Sequence, residues 1–316
     1  MKAIGGYFEL ELRPGKEYHT NLIRLNTGRN GLEYILRVSK YKKVYLPYYT
    51  CDAVLEPLKK LNIGYAFYHI DRKLDPVIDF KICDDAVLIY NNYYGLKGAT
   101  VKKLAGENFH LIVDNAQAFF DRPLPGIDTF YSPRKFFGVP DGGYVATEKE
   151  NPDKLEIDNS ENRLDHLIKR ITEGPEAGYP AFLVNEKLLN GQPVKEMSCL
   201  TQRLLSGIDY KTVAEKRRRN FALLHEKLGR LNELDLALPD GAVPMVYPFY
   251  TTQPELREKL IQHKTFVATY WPNVLAWTKP GQWEHQLAEN SIPLPIDQRY
   301  GEKEMQEIIQ LIKNYD

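Results

Sequence analysis

Ala86-Val87-Leu88-Ile89-Tyr90 is apolar at every position. A strand with one face in water alternates apolar and polar residues, whereas a strand covered on both faces does not need to. This run therefore predicts a strand inside a sheet that carries helices on both sides. Working outward, residues 43–46 read as a strand ending at Pro47, and residues 65–70 as another. Between them Val54, Leu55, Leu58 and Leu61 recur at helical spacing, predicting a helix over 49–61. A short helix over 101–106 leads to a strand over 109–113, which ends in Asp114. Residues 130–132 and 143–146 read as two more short strands. Strand–helix–strand alternation predicts an α/β fold with a mostly parallel sheet. In such sheets ligands sit outside the carboxyl ends of the strands.

Composition changes after about Glu148. Residues 150–200 are polar and helical in parts, interrupted at Gly174, Pro175, Gly178 and Pro180. A long helix follows over 211–231, and its basic run Lys216-Arg217-Arg218-Arg219 reads as a solvated face or a subunit contact. Strands are expected over 243–250, 265–270 and 292–296, and helices over 255–263 and 302–313. This gives a large domain over 1–207 and a smaller α/β domain over 208–316.

The 316 residues carry 42 Lys plus Arg and 42 Asp plus Glu. Zero net charge offers no general field for nucleic acid or an anionic membrane, so any phosphate must be held by a local site. Cys51, Cys83 and Cys199 do not make a disulfide scaffold. The first 18 residues lack a secretory apolar region, and no apolar run approaches membrane-spanning length, so a cytoplasmic protein is expected. His69, His110 and His166 show no metal-ligand spacing, and no metal is expected.

Three stretches carry candidate chemistry. In Leu111-Ile112-Val113-Asp114-Asn115-Ala116-Gln117 a carboxylate ends an apolar strand, at the ligand edge or as a helix cap. In Phe130-Tyr131-Ser132-Pro133-Arg134-Lys135-Phe136-Phe137-Gly138 one lysine sits in a loop between aromatics, and Gly142-Gly143 opens the next strand. Aromatic walls would desolvate its amine, as a Schiff-base lysine requires. In Leu25-Asn26-Thr27-Gly28-Arg29-Asn30-Gly31-Leu32 a Gly-containing turn enters a helix, which is either an anion site or a simple N-cap by Thr27 or Asn26. Taken in order, an anion cradle, an acid and an amine are what pyridoxal 5'-phosphate needs for its phosphate, ring nitrogen and aldehyde.

These motifs resemble the DegT/DnrJ/StrS sugar aminotransferases, which are fold type I pyridoxal-phosphate enzymes. The resemblance rests on Thr27-Gly28-Arg29-Asn30-Gly31-Leu32, Pro47-Tyr48-Tyr49-Thr50, Tyr93-Tyr94-Gly95, Asp114 through Gln117, Phe130 through Lys135, and Gly142-Gly143. It implies that Lys135 is the Schiff-base lysine and proton shuttle, that Asp114 binds the pyridine nitrogen, and that Gln117 contacts the ring's 3-oxygen. Ser132, with Gly28 and Arg29 through their amides and Thr27 beside them, would hold the phosphate. Cys51 stands where the family's ring-stacking aromatic usually lies, leaving Tyr49 or Tyr93 as substitutes. Tyr93 is also a candidate for substrate contact. The family's cross-dimer Asn-Tyr-Arg segment has Asn220 or Arg203 as candidate replacements. Arg299 would bind an anionic donor or acceptor, or make a structural ion pair.

The implied reaction moves an amino group from an amino acid, glutamate being the expected donor, to a keto-sugar nucleotide, as in surface polysaccharide synthesis. A homodimer is implied. The alternatives are a pyridoxal-phosphate enzyme with another amine acceptor and a non-catalytic relative that binds the cofactor or a nucleotide sugar.

Overall fold

The structure is a computed structural model describing residues 4–234 and 236–314; Met1–Ala3 of the leader reading lie outside them. The central sheet has eight strands, β1 (Ile23–Leu25), β2 (Lys43–Pro47), β3 (Gly64–Ile70), β4 (Pro76–Val77), β5 (Ala86–Asn91), β6 (His110–Asp114), β7 (Asp128–Tyr131) and β8 (Gly143–Ala146). Their order is β1-β8-β7-β6-β5-β2-β3-β4. The five neighbours β3, β2, β5, β6 and β7 run parallel; β8 and β4 run against them, and β1, antiparallel to β8, runs with them at the margin.

Side chains of these strands part to opposite faces. Val44, Leu46, Val87, Ile89, Ile112 and Val145 join one apolar cluster with α1 (Gly28–Ser39) and α2 (Leu55–Lys60). Tyr45, Leu88, Tyr90, Leu111, Val113 and Tyr144 join the other. Each fully buried aliphatic side chain contributes about 1.5–3 kcal/mol relative to exposure. This double burial is why β5 reads as an unbroken apolar run.

The second cluster extends without a break through α3 (Gly98–Ala105) and the C-terminal elements. After β8 come α4 (Asp165–Thr172), α5 (Pro175–Leu188), α6 (Cys199–Ser206) and α7 (Tyr210–Leu228). A two-stranded antiparallel ribbon pairs β9 (Tyr247–Tyr250) with β10 (Ser291–Leu294), accompanied by α8 (Leu256–Gln262), α9 (Pro272–Trp277), α10 (Trp283–Asn290) and α11 (Glu302–Lys313). Among the described residues no helix is long and apolar enough to cross a membrane.

Several expectations shift. The helix expected over 49–61 begins as a 3₁₀ turn at Asp52–Val54 and becomes α2 only at Leu55, because Thr50 takes a hydrogen bond from Asn91 Nδ2 (2.9 Å) instead of entering the helix. The strand expected over 243–250 is shortened to Tyr247–Tyr250; ahead of it the Met245 amide bonds the Tyr94 carbonyl at 2.9 Å. The strand expected over 265–270 does not form. Its Ala268 carbonyl is taken by the Arg257 side chain (2.6 Å), so the β-branched residues there lie in a loop.

Candidate active site

The carboxyl ends of β2, β5, β6 and β7 lie side by side and release Cys51, Asn92, Asp114 and Ser132 into one region. Register aligns Asn91, Asp114 and Phe130 across three strands.

The α1 N-terminus reaches this edge through a tight contact with β8. Thr27 is the N-cap, and its hydroxyl accepts from the Asn30 amide at 3.0 Å. The first intrahelical bond is Gly31 N to Thr27 O, so the Gly28 and Arg29 amides precede it and make no intrahelical bond. A Cβ on Gly28 would sit 3.3 Å from Ser132 Cβ, which places the helix start against the residue after β7. The Gly-Gly pair makes this possible: a Cβ on Gly143 would lie 2.4 Å from the Thr27 carbonyl oxygen, and Gly142 has φ +123°. The Arg29 side chain turns away, bonding Glu56 and Asn190, both at 2.6 Å.

Asp114 is half-buried, and one carboxylate oxygen accepts from the Ala116 amide at 2.7 Å. Burial pushes its carboxyl up, while the positive charge of Lys135 pulls it down. Lys135 follows β7 in a short turn, Pro133–Lys135. Its charge also opposes the burial that pushes the half-buried Cys51 thiol up, so acid, amine and thiol share one neighbourhood. Gln117 is 4% exposed; its Oε1 accepts from the Tyr94 amide at 2.9 Å, and its buried Nε2 has no hydrogen-bond partner among the described residues.

Two expectations about side-chain placement change. Lys135 is exposed rather than walled by its aromatic neighbours, because Phe136 and Phe137 turn into the core against Phe119 and Phe120. Tyr49 and Tyr93 are completely buried. Tyr49 Oη is bonded to Tyr94 Oη (3.1 Å), and Tyr93 Oη donates to the Tyr49 carbonyl (2.9 Å), so both stand behind the site as packing.

Lys135 opens on a cleft of about 860 Å³ between its turn, the α4–α5 hairpin and residues 263–266 and 295–308. The cleft is lined by Arg134, Arg170, Arg217, Lys264 and Arg299 besides Lys135, against the acids Asp297, Glu304 and Glu307. Asp114 and Gln117 do not line it, so the cleft adjoins the sheet-edge cluster from the Lys135 side. Arg299 grips its neighbour Asp297 at 2.7 and 2.8 Å and still borders the cleft.

Arg217, expected on a solvated face, is 1% exposed and points inward. Asn220 is also buried, holding the Ile296 and Tyr300 carbonyls at 3.1 Å, so it makes no cross-subunit contact. Arg203 lies on the surface 3.8 Å from Glu9. Sequence reasoning gave no role to Arg134 beside Lys135, and missed Arg170 and Lys264, which lie in polar stretches without a motif and reach the Lys135 cleft only through the fold.

No family model matches the sequence, and no curated protein sequence matches it. Solved structures do. The sugar aminotransferase CalS13 from Micromonospora echinospora superposes with a TM-score of 0.61 at 16% identity, covering 93% of this chain and 87% of that one. DesV of S. venezuelae, solved in complex with a ketimine intermediate, gives 0.63 at 18%, covering 93% and 84%. NtdA from Bacillus subtilis, solved with bound cofactor PMP, gives 0.65 at 14%, covering 92% and 73%. At such identities the likeness speaks for architecture: the chain has the fold type I architecture of these aminotransferases.

Proposed function

We propose that the chain is a pyridoxal-phosphate aminotransferase that moves an amino group from an amino acid, glutamate by our reading, to a keto-sugar nucleotide. One observation carries this reading. A helix start whose first amides make no intrahelical bond, a half-buried acid, an orphaned buried amide and a lysine converge at one sheet edge. Each has a counterpart on the cofactor, so the residues present fit it.

The bound cofactor supplies an electron sink for charge developing at the amino acid Cα. Asp114 would hold the ring nitrogen protonated through the carboxylate oxygen that its bond from the Ala116 amide leaves over. The Gln117 Nε2 amide, which lacks a hydrogen-bond partner among the described residues, would donate to the ring's 3-oxygen. The Gly28 and Arg29 amides and the Ser132 hydroxyl hold the phosphate, with Thr27 fixing the helix start. Lys135 would be the residue that binds the aldehyde carbon, and its Nζ would carry the proton to and from the amino acid Cα.

The cleft beside Lys135, bordered by Arg170 and by the ion-paired Arg134, Lys264 and Arg299, supports an anionic acceptor, and Arg299 is its binding residue. We assign residues 1–207 to the cofactor-binding part and 208–316 to a smaller part, acting in a cytoplasmic homodimer. A second reading, a cofactor-binding relative without catalysis, is favoured by Cys51 standing at the ring-stacking position.

Purified protein incubated with pyridoxal phosphate should turn yellow, and borohydride should fix the cofactor on the Lys135 peptide, seen as a mass gain. Lys135→Ala should abolish the fixation and keep the circular dichroism spectrum. Glutamate should bleach the colour if the protein is a transaminase; colour that glutamate leaves unchanged supports the second reading. A protein that takes up no cofactor overturns both.

A further inference from the structure

Arg217 is nearly inaccessible, yet each of its direct hydrogen-bond acceptors is neutral. Nη1 donates to the carbonyls of Met245 (2.8 Å) and Pro244 (3.4 Å), Nη2 to the carbonyl of Phe136 (3.3 Å), and Nε to Gln298 Oε1 (3.0 Å). The guanidinium lies 4.6 Å from the centre of the Phe136 ring. Asp297 acts on Arg217 only through its field, being committed to Arg299. Burying a cation without a bonded carboxylate is costly, and a hydrophobic residue of similar size would fill the volume more cheaply. The bonds show what the charge holds.

Phe136 directly follows Lys135, and its carbonyl receives a second bond from Gln298 Nε2 at 2.8 Å. Gln298 thus accepts from Arg217 through one end and donates to the Lys135 turn through the other. The same loop presents Arg299 to the cleft, and Asn220 anchors it to α7 at Ile296 and Tyr300. On its other side Arg217 fixes Met245, whose amide bonds the Tyr94 carbonyl (2.9 Å), and the Tyr94 amide bonds Gln117. One side chain therefore joins both walls of the candidate site.

We propose that Arg217, acting with Gln298, is a positioning residue that locks the turn carrying Lys135 and couples it to the loop presenting Arg299. It touches neither cofactor nor substrate. Displacing a reacting amine by about 1 Å can cost on the order of a hundredfold in rate, so a turn held by one side wall needs such a lock. The inference rests on the proposed role of Lys135, and its first test does not require the cofactor.

Gln298 is half-buried, so Gln298→Ala should fold even if Arg217→Met does not. In cofactor-free protein, acetic anhydride labelling of Lys135 is followed by peptide mass spectrometry, with the surface residues Lys102 and Lys103 as internal standards. Gln298→Ala should change the Lys135 rate at least about threefold relative to those standards, as a freed side chain samples new surroundings. In loaded enzyme, kcat should fall about tenfold or more with KM for the amino acid changed less than about twofold, because geometry rather than binding is lost. Arg217→Lys, which keeps charge but not the fork, should act in the same direction. A folded Gln298→Ala protein with wild-type labelling and wild-type kcat overturns the lock. A protein that never takes up cofactor overturns the function proposed above, while the labelling result still decides the lock.

Discussion

Asp114 illustrates how a single residue can serve function against stability. Burial raises its carboxyl above the ordinary value of 3.8, so the cofactor-free fold disfavours the charged form that its proposed contact with the ring nitrogen needs. An acid raised in the fold makes stability fall as pH rises from its unfolded value upward. Asp114→Asn should therefore raise the denaturation midpoint of cofactor-free protein at neutral pH, while kcat of loaded enzyme drops by about a hundredfold or more. Equal loss of stability and activity would contradict that division. His19 gives the opposite pH signature. Its ring is 1% exposed, Nε2 bonds the Phe119 carbonyl at 2.7 Å, and burial lowers its pKa from 6.5 to about 4. The unfolded chain takes up the proton first, so stability is lost as pH falls from 6.5 to about 4, by about 3 kcal/mol in all. Urea titrations at pH 7.5 and 4.5 should show this loss in wild type and a smaller one in His19→Phe.

At the level of elements, the contact between the start of α1 and the start of β8 shapes the proposed phosphate cradle. A methyl group on Gly143 would meet the Thr27 carbonyl carbon at 2.5 Å and the Gly28 nitrogen at 2.9 Å, both backbone atoms that cannot swing aside. Gly143→Ala should cost about 1–3 kcal/mol and weaken cofactor binding more than any comparable change away from the site. Gly64→Ala is the control, since its Cβ would meet only the Lys42 carbonyl at 3.6 Å. Equal cofactor affinity in the two variants would mean that the α1 start holds no phosphate. This contact also shows what sequence could convey. Thr27 as cap and Gly142-Gly143 as a close approach were readable locally, because capping and glycine geometry act over a few residues. The burial of Tyr49 and Tyr93 was not readable, because their surroundings come from Tyr94 and Trp271, the latter far along the chain. The aromatics beside Lys135 misled for the same reason: adjacency in sequence does not fix which way a ring turns.

Across the whole molecule, the parallel sheet was legible because double burial leaves an unbroken apolar run in β5 and apolar centres in β2 and β6. The C-terminal third was less so: its ribbon is short, and Arg217 in a basic run gave no sign of pointing inward. The region between β8 and α6 was the least legible, and its hairpin now bears on assembly. Ile168, Tyr179, Leu183, Val184 and Leu188 on α4 and α5 are 42–59% exposed, whereas the exposed Ile171 and Phe182 line the Lys135 cleft. These five form an apolar patch of the kind that marks an interaction surface. The opposite side of the hairpin holds the Lys135 region, through Asn185 Nδ2 on the Pro140 carbonyl (3.0 Å) and Glu186 paired with Arg134. A partner covering this face would thus brace the amine-bearing turn from behind, and the proposed homodimer places a second copy there. Ile168→Glu combined with Val184→Asp should convert a sedimenting dimer to monomer, since two carboxylates would be desolvated in each half of a self-complementary interface. The monomer should keep its secondary structure but label faster at Lys135. A wild-type chain that sediments as monomer at tens of micromolar, or a double variant that stays dimeric, would move the interface elsewhere and leave the apolar hairpin to another partner.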